Sequence, residues 1–157
     1  MADRVRYEMI PATADHIAFI ADHMREADVE EVWASAQLQP LEALRLSVMV
    51  SEQALTGTAD GEPICIFGCG RKSLLDTTGI PWLLGTDKID RHAKGFMQRN
   101  KTIIKEWMER YELLENWVDS RNTKSVAWLR WLGFEIQEAS PYGAFGLPFH
   151  HFTMRRS

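Results

Sequence analysis

Cysteine is scarce in this chain: Cys65 and Cys69 are the only two among 157 residues. They lie in the stretch ICIFGC, and an even separation on a strand puts both thiols on one face. Their Cα atoms would then stand roughly 13 Å apart at about 3.3 Å per residue, beyond the reach of a disulfide. No second cysteine pair completes a zinc site, and the five histidines show no matching spacing. Long apolar runs are missing as well. The opening MADRVRYEMIPATADHIAFI is broken by charge and proline, which argues against a signal peptide or a membrane-spanning helix. No basic run stands out, and the formal net charge is -4. A dedicated nucleic-acid binder needs a positive face to neutralise phosphates, so neither nucleic acid nor membrane is an expected partner.

What is present is the profile of a globular protein, with 45% hydrophobic and 25% charged residues. No linker, repeat or low-complexity segment divides residues 1–157, so one domain is expected, in the cytoplasm of the cell that makes it. Val5 to Ile10 reads as a first strand ended by Pro11. A helix opens at Thr13 or Ala14, with Ile17, Ile20 and Met24 at helical spacing. READVEEVWAS reads as a second helix with Val29, Val32 and Trp33 turned inward. Pro40 opens a third.

From Glu52 the period changes. Asp60-Gly61 between β-favouring runs predicts a hairpin, and PWLLGT a further strand over Pro81–Thr86. The longest helix is expected from Ile89 or Asp90 to about Tyr111, with Phe96, Met97, Ile104 and Trp107 among its apolar stripe. Leu113–Val118 follows as a strand and Thr123–Leu132 as a short helix, closed by Gly133 as a left-handed cap. The tail reads as two strands joined through SPYGAFG. The whole is an α/β arrangement, a mixed central sheet with helices on both faces. Six tryptophans are many for this length; most fall at core-facing positions, and any exposed ones would point to a protein partner.

The segment NTKSVAWLRWLGFEI resembles the closing motif of GNAT acetyltransferases: Asn122 after a strand, a short helix, then Leu132, Gly133 and Phe134 leading into the next strand. Asn122 also has a purely structural reading, as the N-cap of that helix. HMREADVEEVWAS, PLEAL, DGEPICIFG, PWLLGTDKI and the terminal GLPFHHFTMRR together resemble a bacteriophage branch of that fold, which includes the small internal virion proteins of podophages. The resemblance covers almost the whole chain.

It implies a GNAT fold, acetyl-CoA or CoA as cofactor, and other phage virion proteins as partners, first in the host cytoplasm and then within the virion. It also implies a site. Leu84 and Thr86 on the fourth strand, Arg91, His92, Lys94 and Gly95 at the start of the long helix, and Asn122 would hold the cofactor. Glu31, from the acidic run Glu26, Asp28, Glu30 and Glu31, would serve with Asn122 in catalysis; the same run also reads as a solvated acidic face. His150 and His151 alternate faces on the last strand and are not candidates.

Two positions depart from the family pattern. TDKIDRHAKGFM has Arg91 and Gly95 but no spaced second glycine, and side chains there hinder phosphate from reaching the backbone. The position of the usual proton-donating tyrosine is Leu129. Two functions therefore stay in view: a virion or assembly protein that keeps the fold as a scaffold, and an active N-acetyltransferase. The two differ on whether the cleft between the fourth and fifth strands is open or plugged.

Overall fold

A computed structural model describes residues 4–157; the first three residues of the opening segment lie outside the described part. The chain runs β1 (Tyr7–Pro11), α1 (Ala14–Asp22), α2 (Glu26–Ala36), α3 (Pro40–Met49), β2 (Ser51–Ala59), β3 (Glu62–Gly70) and β4 (Thr78–Gly85). It continues α4 (Ile89–Arg110), β5 (Leu113–Asp119), α5 (Thr123–Leu132), β6 (Glu135–Ile136), β7 (Ser140–Tyr142) and β8 (Leu147–Arg155).

Local chemistry explains the element ends. Thr13 caps α1 in a reciprocal box with His16, its hydroxyl accepting the His16 N–H while the His16 ring accepts the Thr13 N–H. Pro40 occupies the first turn of α3, where its missing N–H costs no helical bond. Gly133 ends α5 at φ +103°, a conformation that a side chain would strain.

The strands form one sheet in the order β1-β2-β3-β4-β5-β8-β6, with β7 also on β8. Every pairing is antiparallel except β4 with β5. Helices cover both faces. On one, Ile20 of α1 and Ala43 and Leu44 of α3 bury against Ile66 and Leu84. On the other, the stripe of α4 with Leu132 of α5 buries against Cys65, Phe67, Leu114 and Phe152. Cys65 and Cys69 are free, buried thiols, and burial pushes each up to about 12, so neither is reactive.

Three expectations need correction. β4 starts at Thr78, earlier than Pro81, because its first residues pair with β3 and β5. The tail holds three strands, since Ser140–Tyr142 itself pairs with β8 and only the turn after it is loop. Trp33 is 44% exposed rather than inward. It lies on the outer side of α2 against Phe145 of the β7–β8 turn, at 6.3 Å between ring centroids.

Candidate functional site

The irregular part of the sheet is its single parallel pairing. β4 and β5 are in register only at Thr78–Leu113 and Gly79–Leu114, after which the strands diverge toward Gly85 and Asp119. A cavity of about 250 Å³ occupies the gap. Its walls include Pro81, Leu83 and Leu84 of β4, Trp117 and Val118 of β5, and Trp128 and Leu129 of α5. α4 contributes Met97, Asn100 and Ile104, and α2 contributes Glu31 and Val32.

The divergence leaves backbone groups without a ladder, and side chains take most of them. The Asn116 amide spans the gap, Nδ2 donating to the Pro81 carbonyl at 2.9 Å while Oδ1 accepts the Trp117 N–H at 2.8 Å. Further along, Asp28 Oδ2 accepts the Gly85 N–H of β4 at 2.9 Å, and Glu31 Oε1 accepts the Asp119 N–H of β5 at 2.8 Å. Asp28 and Glu31 stand one turn apart on α2, which places their carboxylates on the same helix face. Alternation along β4 turns the Leu83 N–H toward the same gap, and no hydrogen bond among the described residues uses it.

At the far ends of the two strands the gap is filled. Arg25 is 4% exposed and Asp28 1% exposed, and they form a two-point ion pair, Nε to Oδ2 at 3.2 Å and NH2 to Oδ1 at 2.9 Å. The same guanidinium donates to Asn122 Oδ1 at 2.9 Å and Ser125 Oγ at 2.7 Å, and lies 5.0 Å above the Trp128 ring. Its backbone N–H donates to the Gly85 carbonyl at 2.9 Å. Asn122 Nδ2 in turn donates to Asp28 at 3.2 Å and to Glu31 at 3.4 Å. Asn122 occupies the capping position of α5 but makes no side-chain cap bond; its amide is committed to this cluster. Ser125 and Glu31 line the cavity while Arg25 and Asn122 line a separate surface depression, so the cluster is the wall between them.

The carboxyl of Glu31 is pushed up to about 8, first by burial and next by the neighbouring Asp28 charge; the Asp119 N–H and the Asn122 amide pull the other way. At neutral pH it holds its proton.

The outer depression, beside the β4–α4 connection, is not suited to an anion such as a pyrophosphate. β4 and α4 are joined by Thr86, Asp87 and Lys88 alone. The amides of Ile89, Asp90 and Arg91 turn back onto the carbonyls of Thr86, Asp87 and Lys88 at 3.1 to 3.3 Å, so they do not point outward as an anion site needs. Asp87 and Asp90 line the depression, and its cations are already paired, Lys124 with Asp90 and Arg121 with Asp119, each at 2.7 Å.

The candidate cofactor residues are dispersed accordingly. Arg91, His92, Lys94 and Gly95 belong to the first turns of α4, not to a loop. Arg91 and Lys94 are exposed. His92 turns toward β1, where Nδ1 and the Tyr7 hydroxyl hydrogen-bond at 2.8 Å; burial, then the Arg91 charge, lower its pKa. Gly95 faces the same tyrosine, and a Cβ there would come within 2.6 Å of the Tyr7 ring. Its glycine is a packing requirement between α4 and β1. The Thr86 hydroxyl donates to the Ile64 carbonyl and is buried. Leu84, Glu31 and Leu129 do reach the cavity, and Asn122 stands at its wall.

Sequence reasoning missed Arg25, Asn116 and Asn100. A buried arginine carries no local signature, although its i,i+3 spacing to Asp28 is readable.

No protein-family model matches the sequence, and no curated protein matches it either. Solved structures do. An acetyltransferase of the GNAT family from Bacillus anthracis superposes at TM-score 0.69 and 10% identity, over 96% of this chain and 95% of that one. The ribosomal-protein-alanine N-acetyltransferase from Brucella melitensis does so at 0.72 and 14%, over 94% and 99%. The spermidine N-acetyltransferase from Vibrio cholerae, solved with CoA and spermine, does so at 0.66 and 11%, over 96% and 95%. At these identities the likeness is one of architecture. The chain has the GNAT acetyltransferase fold.

Proposed function

We propose that this chain is a phage-encoded protein that uses the GNAT fold as a scaffold within the virion or during its assembly. The observation that carries the scaffold half is the Arg25–Asp28–Asn122 cluster, which fills the end of the β4–β5 gap through which a cofactor arm would pass. The short β4–α4 connection, with its returned amides, supports it. The phage half rests on the sequence resemblance, from HMREADVEEVWAS to the closing GLPFHHFTMRR. Exposed Trp33, Phe145 and Trp131 give the surface aromatic groups of the kind that anchor protein partners. Mass spectrometry of purified particles, from an infection that produces this chain, tests the reading. The protein is expected at a fixed ratio to the structural proteins after density-gradient purification. Its absence from particles and from assembly intermediates overturns the reading.

A second reading is an N-acetyltransferase acting on an amine of a protein or small molecule with acetyl-CoA. It is favoured by the divergence of β4 from β5, with the free Leu83 N–H and the protonated Glu31 carboxyl at the gap. The Vibrio cholerae neighbour, with CoA and spermine bound, lends the substrate class. Incubation with acetyl-CoA and a panel of polyamines and peptide amines, read as thiol release, separates the two readings. Turnover above the uncatalysed rate establishes the second.

A further inference from the structure

No basic run stands out in the sequence, yet folding assembles one on α4. Arg91, Lys94, Gln98, Lys101 and Lys105 recur at alternating steps of three and four residues, the spacing that lines up one face of a helix. All five are exposed. The stripe lies away from Phe96, Ile104 and Trp107, the side of α4 that packs into the core. It runs beside α5, where Lys101 Nζ lies 4.4 Å from the Trp131 ring centre and Lys124 Nζ 2.7 Å from Asp90 Oδ2. Between Lys124 and Trp131, the residue on the same side of α5 is Ala127, exposed and small, which leaves a shallow groove between the helices. Trp131 itself is 49% exposed.

The charge on this face is uncompensated. Arg6, Lys88, Arg110, Arg121, Lys124 and Arg156 each have a carboxylate within 4.0 Å. Among the described residues, Arg91, Lys94, Lys101 and Lys105 have none, and neither does Arg130, the neighbour of Trp131. Acidic side chains outnumber basic ones, 22 to 18, so carboxylates to pair with are not in short supply. Like charges at these spacings repel one another along the helix, a cost that an opposite charge from outside would relieve.

The extent and the ends of the stripe narrow what that charge belongs to. Arg91 to Lys105 covers roughly 21 Å at about 1.5 Å per residue. Asp87 and Asp90 precede it in the chain, and Glu106, Glu109 and Glu112 follow it. A nucleic-acid strand longer than the stripe would meet carboxylates at both ends. A helix of about four turns fits between them. Carboxylates at the same alternating steps on such a helix would match the spacing of the cations, and an apolar side chain among them would cover the open part of Trp131.

We infer that the α4 stripe and Trp131 form a docking surface for an acidic amphipathic helix of a partner protein. The surface stands whether the chain is a scaffold or an enzyme.

The probe is an alanine-based peptide of about 18 residues, with glutamates at alternating steps of three and four and one leucine among them. A second peptide of the same composition scatters the glutamates around the helix. NMR titration of the full chain at low salt, where charge acts over a longer range, is expected to shift the Lys101 and Trp131 side-chain resonances. The patterned peptide is expected to bind at least about threefold more tightly than the scattered one, a comparison made on wild type alone. Lys94→Glu, Lys101→Glu and Lys105→Glu together should weaken it by about tenfold or more. Lys72→Glu, in the β3–β4 connection, should leave it within about twofold. Four results would each overturn the inference. They are equal or absent binding of the two peptides, unchanged binding by the triple variant, tighter binding of an oligothymidylate, and a wild-type dimer in sedimentation that the triple variant abolishes.

Discussion

The two ends of the β4–β5 gap differ in what made them. The inner end is a consequence of strand geometry: after Gly79 the strands part, a single asparagine pins the parting point, and an aromatic-walled cavity remains. The outer end is a construction of side chains, in which one arginine reaches a carboxylate, an amide, a hydroxyl and an indole ring. Strand divergence is set by the backbone pairing, which is limited to two residue pairs here. An entrance depends on a few residues and can be rebuilt. Here the diverging strands leave an aromatic-walled cavity, and the far end of the gap is filled with an internal ion pair.

The largest expected effect lies at the outer end. Arg25→Ala leaves Asp28 buried without its partner and should cost about 3–5 kcal/mol in urea denaturation. Replacing both, Arg25→Met with Asp28→Leu, should recover only part of that loss, since the uncompensated charge is gone but the Gly85 N–H and the Asn122 amide lose their partners. A loss under about 1 kcal/mol for Arg25→Ala would mean that the pair does not hold the entrance.

Glu31 links the two ends, and its effect depends on pH. The group loses its proton near pH 4.5 when unfolded but only near pH 8 in the folded chain. Between those values the folded state binds the extra proton, so this residue makes stability fall as pH rises, levelling off above pH 8. Glu31→Gln removes the dependence. Its stability should match wild type near pH 4.5 and exceed it by on the order of 1–2 kcal/mol at pH 8, the effect held down because Glu31 is partly open to solvent. Parallel pH profiles for the two proteins would contradict the proposed placement.

Away from the gap, Gly95→Ala tests whether that glycine packs or binds. Crowding against Tyr7 costs about 1–3 kcal/mol, while the alanine returns up to about 1 in helix propensity. A net loss of about 1 kcal/mol is expected, becoming a gain when Tyr7→Ala removes the obstacle. The smallest effect is at Leu129→Tyr, which places beside the cavity the phenol that the sequence resemblance implies as proton donor. No acetyl transfer should appear, because the entrance is unchanged; turnover above background would place the limitation at the missing acid instead.

Most of the fold was legible because its signals are local. The α4 stripe, the Asp60-Gly61 turn, Pro40 and Gly133 each fix a period, a reversal or an end. The short β7 escaped because Ser140–Tyr142 has no apolar alternation and becomes a strand only by pairing with β8. The site was less legible. Leu84, Glu31 and Leu129 line the cavity, which exists only because β4 and β5 part. Arg91 to Gly95 do not: although the helix start near Ile89 was legible, the spacing could not reveal that His92 and Gly95 face Tyr7 of β1 while Arg91 and Lys94 point to solvent. Arg25 and Asn100 are visible only once 97 residues of separation, for Arg25 and Asn122, have been folded away and the buried amides counted.

Whether the filled end of the β4–β5 gap bars a nucleotide-borne acyl group is tested most directly by thermal unfolding of the wild-type chain in acetyl-CoA. A ligand at about 100 times its Kd stabilises the native state by about 2.7 kcal/mol, which is several degrees for a chain of this size. No rise in Tm is expected up to millimolar acetyl-CoA. A saturable rise of that size would contradict it.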